Sequence, residues 1–95
     1  MWIGLLTLHL QLPGCASLKE KRSRIKPLIN RLHREFNISV AEIGYHDIWH
    51  DTMIACALVS NDHTHTQQAL QVIPAWVEKN WHDLTLVDDH IEILK

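Results

Sequence analysis

His46, Asp47, His50 and Asp51 sit close together in the middle of the chain, and His63-Thr64-His65 follows. The sequence holds 8 histidines in 95 residues. Imidazole and carboxylate together suit zinc or another transition metal. His46 and His50 are the residues such an ion would take first. A closed site needs converging ligands, however, and solvated surface histidine is the simpler reading. The two cysteines, Cys15 and Cys56, have neither metal nor redox spacing. Cys15 precedes a helix start and stands near Lys19, a placement that can make a thiol nucleophilic. No histidine partner is identifiable by spacing, so an ordinary loop cysteine is expected. Ser60-Asn61-Asp62 has the residue types of a polar catalytic cluster, but a helix cap accounts for all three. No acid/base pair, phosphate loop or cofactor motif stands out, and an enzyme is disfavoured.

The charges are distributed unevenly. Of 9 Lys and Arg, all but Lys79 and Lys95 fall between Lys19 and Arg34, where only Glu20 opposes them. Beyond Asn37 the balance is acidic, so the net charge of −2 conceals one basic region on an acidic body. Lys19, Lys21, Arg22, Lys26 and Arg31 are the candidate contacts to nucleic acid. Such cations neutralise phosphates with salt-dependent, sequence-independent affinity. A merely solvated helix face is the competing reading.

These residues need elements to position them. Residues 2–12 alternate, with Leu6, Leu8, Leu10 and Leu12 on one face and Thr7, His9 and Gln11 on the other, which predicts a half-buried strand. Pro13-Gly14 ends it. Ser17-Leu18-Lys19-Glu20 reads as a capping box. Leu18, Ile25, Leu28, Ile29, Leu32 and Phe36 then recur at helical spacing. Pro27 predicts a kink or a tightened first turn, and Asn37 a stop. On the helical wheel Lys19, Arg22 and Lys26 share a flank with His33, while Arg24 and Arg31 take the other. Ile38–Tyr45 and Met53–Val59 read as strands joined by a hairpin connection over 46–51. Ser60-Asn61-Asp62 opens a second helix whose stripe is Thr66, Leu70, Ile73 and Val77, interrupted late by Pro74. Leu84–Ile93 reads as a last strand, frayed by Asp88-Asp89.

The order is strand, helix, strand, strand, helix, strand. With right-handed crossovers this predicts one α+β domain over residues 1–95. The fold is ferredoxin-like βαββαβ: a four-stranded antiparallel sheet with two helices on one face and the other face open. Leu6, Leu8, Leu10, Ile25, Leu28, Ile29, Leu32, Leu70, Ile73 and Val77 form the expected core. Met1–Leu6 is too short for a membrane span and lacks the basic flank of a signal peptide. With no disulfide expected, the cytoplasm is the expected compartment.

This topology hosts unrelated activities, and three can be tested on the residues. Metal-handling domains place two cysteines after the first strand, but Cys15-Ala16-Ser17-Leu18 has one. Acylphosphatases place a glycine-rich loop and an arginine there, and Pro13-Gly14-Cys15-Ala16-Ser17 lacks both. RNA-binding sheets stack bases on aromatics of the two central strands. The third strand has none, and Trp2 points with Leu6 and Leu8 toward the helices. RNA contact, if any, is expected through the helix and loops.

Four blocks carry a family resemblance. Leu12-Pro13-Gly14 leading into Ser17-Leu18-Lys19-Glu20-Lys21-Arg22, then Asn37-Ile38-Ser39-Val40-Ala41-Glu42, then Asp47-Ile48-Trp49, then Val59-Ser60-Asn61-Asp62 resemble the YlxP-like family of small bacterial proteins. The resemblance implies the same ferredoxin-like fold. It implies a translation context, because members are often encoded beside translation-initiation and ribosome-maturation genes, and it supplies no catalytic residues. The expectation is a non-catalytic accessory protein without a cofactor, whose partners are ribosomal RNA or ribosome-assembly factors. The alternative is a homo-oligomeric interaction module without nucleic-acid contact. A homodimer is expected through the open face bearing Ile3, Leu5 and Thr7, or through an edge strand; Trp76, outside the stripe that faces the sheet, is expected to pack on the neighbouring helix or else to join an association surface.

Overall fold

Alternation in the first strand decides which side of the sheet is covered. In a computed structural model, which describes residues 1–95, β1 (Trp2–Gln11) buries Leu6, Leu8 and Leu10 completely, while the intervening side chains stay half-exposed. β1 pairs antiparallel with β3 (Asp51–Ser60) on one side and with β4 (Thr85–Leu94) on the other. β2 (Ser39–Gly44) pairs with β3, giving the strand order β2-β3-β1-β4. That is the ferredoxin-like α+β arrangement. No helix is long and apolar enough to cross a membrane.

α1 (Leu18–Phe36) begins where Ser17 accepts a hydrogen bond from the Glu20 amide at 3.0 Å, and ends at Asn37 in the left-handed region. Asn tolerates that conformation and so serves as the cap. The helix runs unbroken through Pro27. Proline has no N–H, so the Ser23 carbonyl one turn earlier loses its helical donor. Ile25, Leu28 and Leu32 are buried, and Ile29 is only partly so, at the margin of the stripe.

The second helical stretch is two helices, α2 (His63–Gln71) and α3 (Ile73–Asn80). Pro74 cannot donate to the Leu70 carbonyl, which accepts from the Val72 amide instead. Thr66, Leu70, Ile73 and Val77 nonetheless all reach the core. Asp62 caps α2 by accepting from the His65 amide at 3.2 Å. α2 lies directly on β1. A Cβ at Gly4 would fall 2.7 Å from Leu70 Cδ1 and would also collide with Thr66.

β4 is bulged rather than frayed. Asp88 pairs with His9 and Leu86 with Leu10, so Val87 is the extra residue and the strand continues. Trp76 packs on the neighbouring helix, the first of its two expected roles. Its ring meets Phe36 edge-on at 5.4 Å and stacks near Trp81 at 6.4 Å, cementing α1 to α3. Both cysteines are buried and free. Burial alone pushes the Cys56 thiol up to about 12.

Candidate nucleic-acid interface

The basic residues of α1 divide by wheel position into three sets. Lys21 falls at the spacing of the buried stripe, between Leu18 and Ile25, and only 1% of it is exposed. A buried ammonium needs a counter-charge and acceptors. Glu42 of β2 supplies the first, with Oε2 3.0 Å from Nζ. The Tyr45 carbonyl supplies the second. The Thr52 hydroxyl donates to the same Glu42 oxygen at 2.6 Å. Lys21 is therefore a strut between α1 and the β2–β3 end of the sheet. It is removed from the candidate phosphate contacts, because its charge is spent inside the fold.

Arg24 is also structural. Its guanidinium donates to Asp83 Oδ2 at 3.0 Å, to the Asp83 carbonyl and to the Pro13 carbonyl at 2.9 Å. The bond to Asp83 raises its pKa further above the ordinary arginine value, against a smaller opposing effect of burial. It ties α1 to the segment before β4.

Lys19, Arg22, Lys26 and Arg31 remain on the exposed face. An open groove of about 410 Å³ runs there, lined by Ser23, Lys26, Pro27, Asn30, Arg31, Arg34 and Trp81. Its lining contains three cations and no acid. Arg31 pairs with Glu35 at 3.2 Å and stands 5.6 Å over the Trp76 ring. Such an exposed i,i+4 pair is weak, so Glu35 yields Arg31 to a phosphate at little cost. Arg34, Asn30 and Ser23 were not among the candidates from sequence. Their signal was present: 26, 30 and 34 recur every fourth residue opposite the apolar stripe. Trp81 comes from beyond α3, and no local pattern could have placed it there. The donor set of cations, hydroxyl and amide can bind phosphate and sugar oxygens. It offers no acid/base pair.

The histidines do not converge. His46 and His50 are exposed in the connection between β2 and β3, while His63 packs edge-on to Trp2 at 4.8 Å. The His50 carbonyl accepts from the Leu12 amide at 2.9 Å. The two groups thus flank opposite ends of β1, on the order of 30 Å apart at the usual rise of a strand. No trio of His, Cys, Asp or Glu is placed to hold a metal ion. His9, on the open face, instead pairs with Asp51 at 2.8 Å and stacks on Tyr45 at 5.0 Å.

Comparison with known proteins agrees with the blocks read from sequence. A family model described as a protein of unknown function (DUF503) matches residues 3–91. The uncharacterized protein YlxP of Bacillus subtilis (strain 168) is 40% identical over 62 residues, covering 65% of this chain and 67% of the relative. With the match running from the start of β1 well into β4, the chain belongs to the DUF503 family.

Proposed function

We propose that the protein is a non-catalytic RNA-binding accessory protein that grips the phosphate backbone through the exposed face of α1. One observation carries this reading: the groove lining gathers Lys26, Arg31 and Arg34, of which only Arg31 has an acidic partner, the exposed Glu35, on a chain whose net charge is −2. Lys19 and Arg22 extend the same face toward the N-terminal end of the helix. Contacts to phosphates of this kind position a protein without specifying sequence. Ribosomal RNA is the partner class that the genomic context of YlxP-like proteins favours.

The test is binding to a structured ribosomal RNA fragment across a salt series. Affinity should fall linearly on a log–log plot. Lys26→Ala with Arg34→Ala should lower that slope by about 0.7–0.9 for each lost contact. An affinity that does not respond to salt would sink the reading.

A second reading concerns assembly, and a separate observation favours it. On the open sheet face Ile3 lies in register between Val59 and Leu94, which are 63% and 41% exposed. This apolar row would be covered in a homodimer built face to face about a two-fold axis. Light scattering should then give twice the chain mass, and Val59→Glu should return it to the monomer value. A monomeric mass for the unaltered protein at high concentration excludes the dimer.

A further inference from the structure

The chain has six aromatic side chains beyond its histidines: four Trp, one Tyr and one Phe. Four are committed to packing. Phe36, Trp76 and Trp81 hold α1 against α3, and Trp2 lies between His63 and the Lys95 ammonium. The other two, Tyr45 and Trp49, are 43% and 46% exposed, and both stand in the short connection between β2 and β3. Exposing two large rings in one turn forgoes burial that the rest of the molecule exploits.

The connection is held in shape rather than left loose. The Tyr45 carbonyl accepts both from the Ile48 amide at 3.0 Å and from the buried Lys21 ammonium. Tyr45 adopts φ 62°, an uncommon value for a bulky residue, and the two donors fix it there. The His50 carbonyl anchors the other end to Leu12. Each exposed ring also has a histidine against it. Tyr45 stacks on His9 at an interplanar angle of 19°, and Trp49 meets His50 at 6.3 Å. Of the nearby acids, Glu42 is paired with the Lys21 ammonium, and Asp51 is hydrogen-bonded to the His9 ring. Asp47 alone in the turn faces solvent without a partner. Because Lys21 reaches Tyr45, the first turn of α1 abuts this connection, and Lys19 and Arg22 of the same part of the helix are exposed together on its outer flank.

We propose that the β2–β3 connection is a stacking platform for unpaired bases, with Tyr45 and Trp49 as the rings and Lys19 and Arg22 holding the adjoining phosphates. The proposal rests on the RNA-binding reading and deepens it: the partner is a single-stranded segment, or a loop within structured RNA. Aromatic faces accept any base, and a fixed turn spares the ordering cost that a loose loop would meet on binding. Adjacent cations favour nucleic acid over an apolar protein partner.

The decisive experiment compares three labelled RNAs by fluorescence anisotropy across a salt series, beginning at low salt. They are a single strand, an abasic strand of equal length and charge, and a duplex. The single strand should bind more tightly than the abasic strand by about 5-fold or more per stacked base, from the usual strength of base–aromatic stacking. Trp49→Ala should remove the share of one stacked base, about 5-fold or more, and leave the salt slope unchanged, while Trp49→Phe restores most of it. If all three RNAs bind alike and Trp49→Ala changes nothing, the platform is overturned and the backbone-binding reading stands. If none binds, the RNA reading fails and the platform with it. If Trp49→Ala spares RNA affinity but alters the mass by light scattering, the connection is a protein contact and the platform is likewise overturned.

Discussion

Lys21 and Lys26 lie less than two turns apart on the same helix, yet they do different things. Lys21 is enclosed with Glu42, Thr52 and the Tyr45 carbonyl, while Lys26 borders an open groove among other cations. Composition treats them alike. The wheel separates them, because Leu18, Lys21, Ile25, Leu28 and Leu32 follow alternating steps of three and four residues. A charge at such a position is part of the architecture, and a charge half a turn away is available to a partner. The basic region thus divides into a buried strut that fixes the β2–β3 end and an exposed face that is open to solvent.

The sharpest way to break this comparison is to make the same substitution at both sites. Lys21→Ala leaves the Glu42 carboxylate with only the Thr52 hydroxyl. Removing one partner of a buried pair costs about 3–5 kcal/mol. The lower end is expected, since 18% of the Glu42 side chain remains exposed. That loss is comparable with the roughly 2–5 kcal/mol of Leu8→Ala at the centre of the core. Urea unfolding followed by circular dichroism measures both. A change under about half a kcal/mol for Lys21→Ala would show that the strut holds nothing.

Sequence periodicity revealed most of the fold for a physical reason. The residues of β1 alternate because one face meets helices, and Leu6, Leu8 and Leu10 are buried as that alternation requires. The caps at Ser17, Asn37 and Asp62 are local events, and local residue types specify them. What escaped depends on partners distant in the chain. The burial of Lys21 needs Glu42 and Tyr45, and the groove needs Trp81, none of which an inspection of α1 alone supplies. The Val87 bulge depends on its register against His9 and Leu10. The candidate site was therefore legible as a helix and a sign of charge. Its membership was legible only where spacing was weighed against the apolar stripe, which would have removed Lys21 and added Arg34.

A second test asks what an unpartnered buried group does, by contrast with the partnered Lys21. Cys56 has no counter-charge, and its thiol is pushed up from 9.0 to about 12. The folded state then retains a proton that the unfolded chain releases above about pH 9. Stability is fully present below that pH and falls as pH rises toward 12, by about 1.4 kcal/mol for each unit within the window. Tyrosine and lysine titrate in the same range, so the comparison must be with Cys56→Val, which packs similarly but carries no thiol. The two proteins should lose stability in parallel up to about pH 9 and diverge above it, the wild type falling faster. Parallel profiles to pH 11 would show that the thiol ionises in place.

The smallest effect belongs to the other half of the comparison. Lys26→Ala removes a charge from an exposed helical position that has no acidic partner within salt-bridge distance. Alanine is the best helix former, and an isolated surface charge contributes little, so stability should change by less than about 0.5 kcal/mol in either direction. The sign is informative. If the groove concentrates like charge, then removing Lys26 relieves repulsion with Arg31 and Arg34, and the variant should be slightly more stable at low ionic strength. That gain should vanish in high salt, because exposed charges are screened within about 10 Å at 0.1 M. A cluster that lowers stability in the free protein is retained for what it binds, so a salt-dependent gain in Lys26→Ala supports the interface from the unliganded side. Salt-independent stability would mean that the cations are too well separated to act together, and would leave the groove as solvated surface.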